Sequence, residues 1–203
     1  MTKFWGPLGW MTLHSISVIY PESPTPEEKA IVRTFMDLFR ETITCQYCKD
    51  HFRRMYTNYL AANPGVFDSR ASFFQFVARA HNTVNLRLDK PRIQSVSACL
   101  ETLVANTKHV SSTVLRNNYI NYLANNWGNE FTGEGAILRR KALEMKKIND
   151  AYWSPRDVGF EGIELPDMDV MTPIEKIEPK FVSPVVTTSK VGFKGGRLRL
   201  GTR

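Results

Sequence analysis

Apolar residues return every three or four positions along most of this chain, a helical period that breaks at short polar or proline-marked stretches. Residues 8 to 20 place Trp10, Leu13, His14, Ser17 and Val18 at helical spacing, and Tyr20-Pro21 stops that helix. A second helix restarts at Pro24-Thr25-Pro26-Glu27-Glu28. Thr25 suits an N-cap, Pro26 the first helical position, and Glu28 completes a capping box. Its predicted buried stripe is Ile31, Phe35, Leu38, Phe39 and Thr42, with the periodic pattern running to Thr44. A third helix is predicted from Cys45 to about Ala61 with Phe52, Tyr56 and Tyr59 inward, ended by Asn63-Pro64-Gly65. The fourth, from about Arg70 to Asp89, carries two adjacent stripes: Phe73, Val77, Ala80 and Val84, then Phe74, His81, Asn85 and Leu88. A short fifth helix covers residues 95 to 108.

Beyond it the chain changes character. Residues 111 to 127 hold Leu115, Tyr119, Tyr122, Leu123 and Trp127 at helical spacing. After a break from Gly128 to Gly135 comes a basic helix with Ile137, Leu138, Leu143 and Met145. From Trp153 onward the helical pattern is lost, and residues 176 to 203 hold seven Lys or Arg against one acid, Glu178. The expected fold class is all-α: a four-helix bundle plus a short fifth helix over residues 1–105, an additional helical region over 106–152, and an extended basic arm over 153–203. No glycine-rich dinucleotide fingerprint follows a predicted strand, so a Rossmann site is not indicated.

With 203 residues, 42% of them hydrophobic and 11% aromatic, the chain can bury a substantial core. Its +7 formal charge favours anionic partners, without distinguishing nucleic acid from an acidic protein surface. Three cysteines are too few for a disulfide-stapled secreted scaffold. No run of about 18 apolar residues predicts a membrane span, and no apolar signal core opens the chain. The expected address is the cytoplasm, where a cycling disulfide is less unusual than a permanent one.

That disulfide is predicted at Cys45-Gln46-Tyr47-Cys48. Two thiols separated by two residues can close and reopen across one helical turn, and a helix N-terminus stabilises the thiolate that exchange requires. The same spacing is half of a zinc site. Only Cys99 remains among the thiols; His51 offers a third ligand and a fourth has no obvious source. A lone histidine is more often a satisfied core residue than a ligand, and Cys99 reads as a small buried apolar residue. A redox pair, a zinc-binding interaction module and a structural or assembly protein therefore all stay open on the residues alone.

Taken together, Trp10-x-x-x-His14, Tyr20-Pro21, Phe39, Cys45-x-x-Cys48 and His81-Asn82-x-Val84-Asn85-x-x-Leu88-x-Lys90-Pro91 resemble the Erv/ALR family of FAD-linked sulfhydryl oxidases, over roughly residues 4 to 105. The resemblance implies a helical bundle, commonly a homodimer, holding FAD with Cys45 and Cys48 against its ring system. It implies that Gly6, Trp10, His14 and Tyr20 line the cofactor, and that His81, Asn82, Val84, Asn85, Leu88 and Lys90 hold its adenine, ribose and phosphates. It also implies that protein dithiols are the substrate, molecular oxygen the final acceptor and hydrogen peroxide the product. Many cellular members carry a second, structural disulfide and a shuttle cysteine pair. Here the aligned positions are Ser72 and Ser95, and the C-terminal region has no cysteine. Short members lacking these extras occur in viruses, which makes a large cytoplasmic DNA virus the expected source.

Overall fold

A computed structural model describes residues 2–157 and 159–175 of this chain. Seven α-helices follow one another: α1 (Thr2–Ile19), α2 (Pro26–Thr42), α3 (Gln46–Ala62), α4 (Arg70–Arg87), α5 (Val96–Thr107), α6 (Ser112–Gly128) and α7 (Gly133–Ile148). No strand occurs among the described residues, and no helix there is long and apolar enough to cross a membrane. The all-α class read from the periodicity is the observed one.

Local chemistry explains where these helices begin. The residue before each of α2 to α7 is Thr25, Cys45, Ser69, Ser95, Ser111 or Thr132, and its side chain accepts a bond from the backbone N–H three positions on. At α2 the box is reciprocal, since Glu28 also accepts from the Thr25 N–H. The two serines aligned with the absent structural disulfide serve helix starts instead: Ser95 caps α5, and the Ser72 hydroxyl bonds that of Ser69.

Several boundaries differ from expectation. α1 starts well before residue 8 and runs through Pro7, which leaves one backbone hydrogen bond of its second turn unmade. α2 stops at Thr42 rather than Thr44, which frees Cys45 to cap the next helix. α7 opens at Gly133, inside the expected break. A Cβ on Gly135 would lie 2.6 Å from the Glu130 carbonyl oxygen, so glycine is what lets the chain pass there. Ile137, Leu143 and Leu88 are substantially exposed, while Leu138, Ala142 and Met145 fill the inner face of α7.

α1 packs on α4, α5 and α6, and α2 packs on α3 and α7. The α6–α7 pair thus clasps α1 and α2, and its side chains continue the core of the first five helices. Tyr119 packs on Phe39 with ring centroids 5.4 Å apart, and Trp153 on Phe35 at 6.0 Å. At the junction lies a wholly buried arginine. Arg116 donates to Asn149 Oδ1 (2.8 Å), Ser112 Oγ (2.7 Å), Thr113 Oγ1 (2.9 Å) and Ser15 Oγ (3.2 Å), with Asp157 at 3.9 Å. These bonds satisfy the charge that burial would otherwise leave exposed to a low-dielectric surround.

The arm expected from residue 153 is corrected over its first part. A π-turn (Asn149–Trp153) and a short 3-10 turn lead out of α7, with Trp153 fully buried. Residues 159–175 are extended but bound to the helices. Phe160 and Val170 join the core, and backbone groups of 169–174 meet Gln75, Arg79, Asn82 and Thr83 on α4. Glu175 ends this strap on α3, 2.6 Å from His51 and 3.4 Å from Arg54. The remainder of the expected arm, 176–203, lies outside the described residues.

Candidate active site

Cys45 and Cys48 are joined in a disulfide, with their Cα atoms 5.2 Å apart. Cys45 is the N-cap of α3, and its sulfur accepts the Cys48 N–H at 3.3 Å. Both sulfurs therefore sit in the first turn, where unsatisfied N–H groups and the helix dipole favour negative charge. Tyr47, between them, is 72% exposed and lies under the Arg87 guanidinium at 5.0 Å. Reduction of this disulfide would release thiolates into an electropositive setting.

Four residues after Cys48, on the same face of α3, Phe52 packs on Trp10 of α1 at 6.3 Å. Trp10 in turn stacks on His81 of α4, ring centroids 4.3 Å apart and planes within 9°. His81 Nδ1 lies 2.9 Å from His14 Nε2, and His14 Nδ1 lies 3.4 Å from the Cys99 sulfur on α5. Three helices thus bring Trp10 and His14 (α1), His81 (α4) and Cys99 (α5) to one cluster, with the Cys45–Cys48 disulfide along the neighbouring α3 face. Burial pushes His14 down to about 4 and holds His81 well below the usual imidazole range, helped there by His14 and Lys90. Both rings are neutral near pH 7. Burial alone pushes the Cys99 thiol up to about 12, so it stays protonated.

The α4 terminus is shaped for the residues that follow. Asp89 adopts a left-handed conformation (φ 54°), with the Lys90 N–H donating to Asn85 O at 2.9 Å and the Asp89 N–H to Leu86 O at 3.3 Å. This pair of bonds is a Schellman closure, with aspartate where glycine is usual. It turns Lys90 out to solvent, and Pro91 forbids continuation of the helix. The Asn85 carboxamide donates to Pro91 O at 3.0 Å and so holds the same turn.

Two residues expected at the cofactor have their polar groups engaged by the protein itself. Tyr20 is fully buried, its hydroxyl donating to Phe67 O at 2.9 Å and its ring packed on Phe73 and Trp153. Asn82 is 1% exposed. It donates to Ile93 O and Val170 O, both at 2.8 Å, and accepts the Ile93 N–H at 2.7 Å, so its carboxamide is spent on the protein's own frame. Gly6 is half-buried in α1 with open space where a Cβ would stand, Val84 packs on the core, and Leu88 is 43% exposed at the end of α4. Cys99, read as a small apolar filler, is the residue the sequence reading undervalued. Its partner His14 is 85 positions away, and no local pattern joins them.

The zinc alternative would need both thiolates free and two further ligands. The two sulfurs are bonded to each other and His51 is paired with Glu175. No group of three or more His, Cys, Asp or Glu among the described residues is placed to hold a metal ion.

A helical bundle with a Cys-x-x-Cys disulfide at a helix N-terminus, beside a half-buried indole–imidazole cluster, defines an all-α protein whose candidate site is suited to thiol–disulfide exchange. The family model described as Erv1 / Alr family matches residues 8–105. A protein of Invertebrate iridescent virus 6 is 34% identical over 90 residues, covering 43% of this chain and 81% of that relative. The FAD-linked sulfhydryl oxidase of African swine fever virus is 31% identical over 86 residues, 42% of this chain and 69% of the relative. The chain belongs to the Erv1/Alr family. The FAD-linked sulfhydryl oxidase ERV1 of Arabidopsis thaliana is 36% identical over 81 residues, 40% of each chain, so this chain spans less than half the length of that relative. No solved structure gives a significant match.

Proposed function

We propose that this protein is an FAD-dependent sulfhydryl oxidase that forms disulfides in protein dithiols, with molecular oxygen as the final acceptor and hydrogen peroxide as product. The observation that carries the reading is the shared position of the Cys45–Cys48 disulfide and the Trp10–His81–His14 cluster on the α1, α3 and α4 faces.

The residues fit the cofactor. Trp10 and His81 present flat aromatic faces, His81 Nε2 has no protein partner among the described residues, and the exposed Lys90 ammonium suits a diphosphate. At 4.3 Å the two rings admit no third ring between them, so their outer faces and edges are what they offer. A groove of about 480 Å³ beside α5, lined by Leu100, Val104, Phe160 and Ile163, holds none of the motif residues and has no part in this proposal. When bound, FAD supplies two-electron acceptance and the reaction with oxygen.

The chain's own part is thiol–disulfide exchange. A substrate thiolate attacks the Cys45 sulfur, forming a mixed disulfide and releasing the Cys48 thiolate. The second substrate thiol then attacks the substrate sulfur of that bond and releases Cys45. The substrate is oxidised by two electrons and the Cys45–Cys48 pair is reduced by two. Cys48, which packs towards the core, is the thiolate on the cofactor side, and the α3 N-terminus stabilises it there. A homodimer, an anionic partner for the basic C-terminal residues, and a cytoplasmic or virion address belong to the same proposal.

The test is the visible spectrum of the purified protein, before and after dithiothreitol is added in air. Flavin absorption near about 450 nm that bleaches and recovers, with oxygen consumed and peroxide formed, is expected. A colourless protein that consumes no oxygen would overturn the reading.

A further inference from the structure

We infer that Cys99 sets the proton positions of the His14–His81 pair, so that His81 carries its proton on Nε2 and offers an N–H donor to the cofactor. The inference rests on the oxidase reading for the word cofactor, while its geometry stands independently of it.

The three groups form one chain: the Cys99 sulfur is 3.4 Å from His14 Nδ1, and His14 Nε2 is 2.9 Å from His81 Nδ1. Each imidazole is neutral and carries a single N–H, so fixing one proton fixes the other. A thiol is a weak donor and a weaker acceptor, whereas a neutral imidazole nitrogen is a good acceptor through its lone pair. Cys99 is 3% exposed and protonated, and among the described residues its hydrogen-bond partner is His14. The thiol therefore donates to His14 Nδ1. His14 must then hold its proton on Nε2 and donate it to His81 Nδ1. His81 is left with its proton on Nε2, on the edge of the ring facing away from His14. Stacking against Trp10 fixes the plane in which that N–H points.

The opposite assignment has physical consequences that differ. If His14 donated to the sulfur, His81 Nδ1 would donate to His14 and His81 Nε2 would carry a lone pair. A lone pair there repels the carbonyl and phosphate oxygens of a nucleotide cofactor, which can only accept, whereas an N–H attracts them. Cys99 is thus a positioning residue: it touches no substrate and acts from α5 through two rings, one on α1 and one on α4. Its burial follows from this role, because water reaching His14 Nδ1 would supply a competing donor or acceptor and scramble the register.

The test uses the full-length, flavin-loaded protein uniformly labelled with nitrogen-15. Ring nitrogen shifts of His14 and His81 distinguish protonated from lone-pair positions. The wild type is expected to show the Nε2–H form at both residues. Cys99→Ala removes the only donor to His14 Nδ1 named above, so both rings should shift to averaged values from mixed forms. Flavin dissociation should become about fivefold more favourable, the effect of a weakened hydrogen bond. Cys99→Ser, whose hydroxyl donates in the same direction, should restore both readouts to within about twofold. A wild-type His81 protonated on Nδ1, or unchanged ring nitrogen shifts in Cys99→Ala, would overturn the inference. A protein that purifies without flavin would defeat the oxidase reading, and the nitrogen shifts would still decide this one on the same samples.

Discussion

The indole N–H of Trp127 donates to the carbonyl oxygen of Thr42 at 2.9 Å. Thr42 is the last residue of α2, so this bond satisfies one of the carbonyls that the helix end leaves without an internal partner. On its other side the same indole lies under the Lys49 ammonium at 5.3 Å, in the first turn of α3. Trp127 therefore holds both flanks of the Cys45–Cys48 turn from α6. Trp127→Phe keeps most of the packing and loses the hydrogen bond. Its expected cost is about 1–2 kcal/mol of folding stability, read from the denaturant midpoint. It should also bring faster amide exchange at residues 43–48 than at the middle of α2. Unaltered exchange there would show that α6 does not brace the redox turn.

Cys48→Ala should abolish dithiol-driven oxygen consumption while flavin content stays near that of the wild type, because the bonds and stacking that hold the indole–imidazole cluster do not use the Cys48 sulfur. Cys45→Ala removes the sulfur that the substrate thiolate attacks and should be equally inactive. Peroxide formation by Cys48→Ala at more than about a tenth of the wild-type rate would contradict the exchange sequence proposed above.

Arg116 draws its bonding partners from α1, its own helix and the turn after α7, and it is wholly buried. Arg116→Met leaves Asn149 and Asp157 short of a partner and should cost about 3–5 kcal/mol. Arg116→Lys should also be costly, since one ammonium cannot reach Asn149, Ser15, Ser112 and Thr113 together. A lysine variant within about 0.5 kcal/mol of wild type in urea unfolding would mean the network is not cooperative.

The parts legible in the sequence are those whose causes are local. Thr25, Pro26 and Glu28 announce the start of α2 because capping depends on residues three apart, and the structure has the box as read. Cys45-x-x-Cys48 is likewise a one-turn relationship. What was not legible depends on groups far apart or on backbone atoms that carry no sequence signal. The strap at 169–174 binds largely through its carbonyls, so its lack of periodicity read as a free arm. Arg116 carries no sign of burial in the sequence, because its bonding partners come from separate segments. Tyr20 enters the expected site through the family resemblance, yet its hydroxyl donates to Phe67 O, 47 positions on, a bond no local pattern announces.

Acid should weaken the fold earlier than carboxylate titration alone would. His14 and His81 are neutral when folded and their proton affinities are depressed by burial. Unfolded imidazoles take up protons near about pH 6.5, so below that pH the unfolded chain binds protons that the folded one does not. The stability these groups contribute is present above about pH 6.5 and is lost as pH falls, for His14 down to about 4. The loss attributable to His14 is about 3 kcal/mol at the acid end of that window. Glu28, Glu41, Asp157 and Asp169, all held low by hydrogen bonds or nearby cations, add their share only at more acid pH. Denaturant midpoints should therefore fall already between about pH 6.5 and 5, and a flat profile there would show that the histidines are solvated.

Asn82 is where strap, α4 and the connection to α5 meet. Its amide group donates to Ile93 O and Val170 O, and its carbonyl accepts from the Ile93 N–H. Asn82→Asp is nearly isosteric but removes both donors and sets a carboxylate against two carbonyl oxygens in a buried position. That change should cost about 3 kcal/mol or more, beyond the loss of ordinary hydrogen bonds. The damage should be directional. Because the strap is also held by Gln75, Arg79 and Thr83, residues 169–174 should exchange faster while remaining partly attached. The 90–94 connection should loosen as well, since Ile93 loses its anchor and Lys90 sits at its start. Asn82→Asp is thus expected to weaken flavin retention without touching the cofactor. Asn82→Ala, which leaves no charge, should show the same pattern at a smaller amplitude. If flavin retention fell in Asn82→Ala while exchange at 90–94 and 169–174 stayed at wild-type levels, Asn82 would have to be a direct contact after all, and the assignment of its carboxamide to the frame would fail.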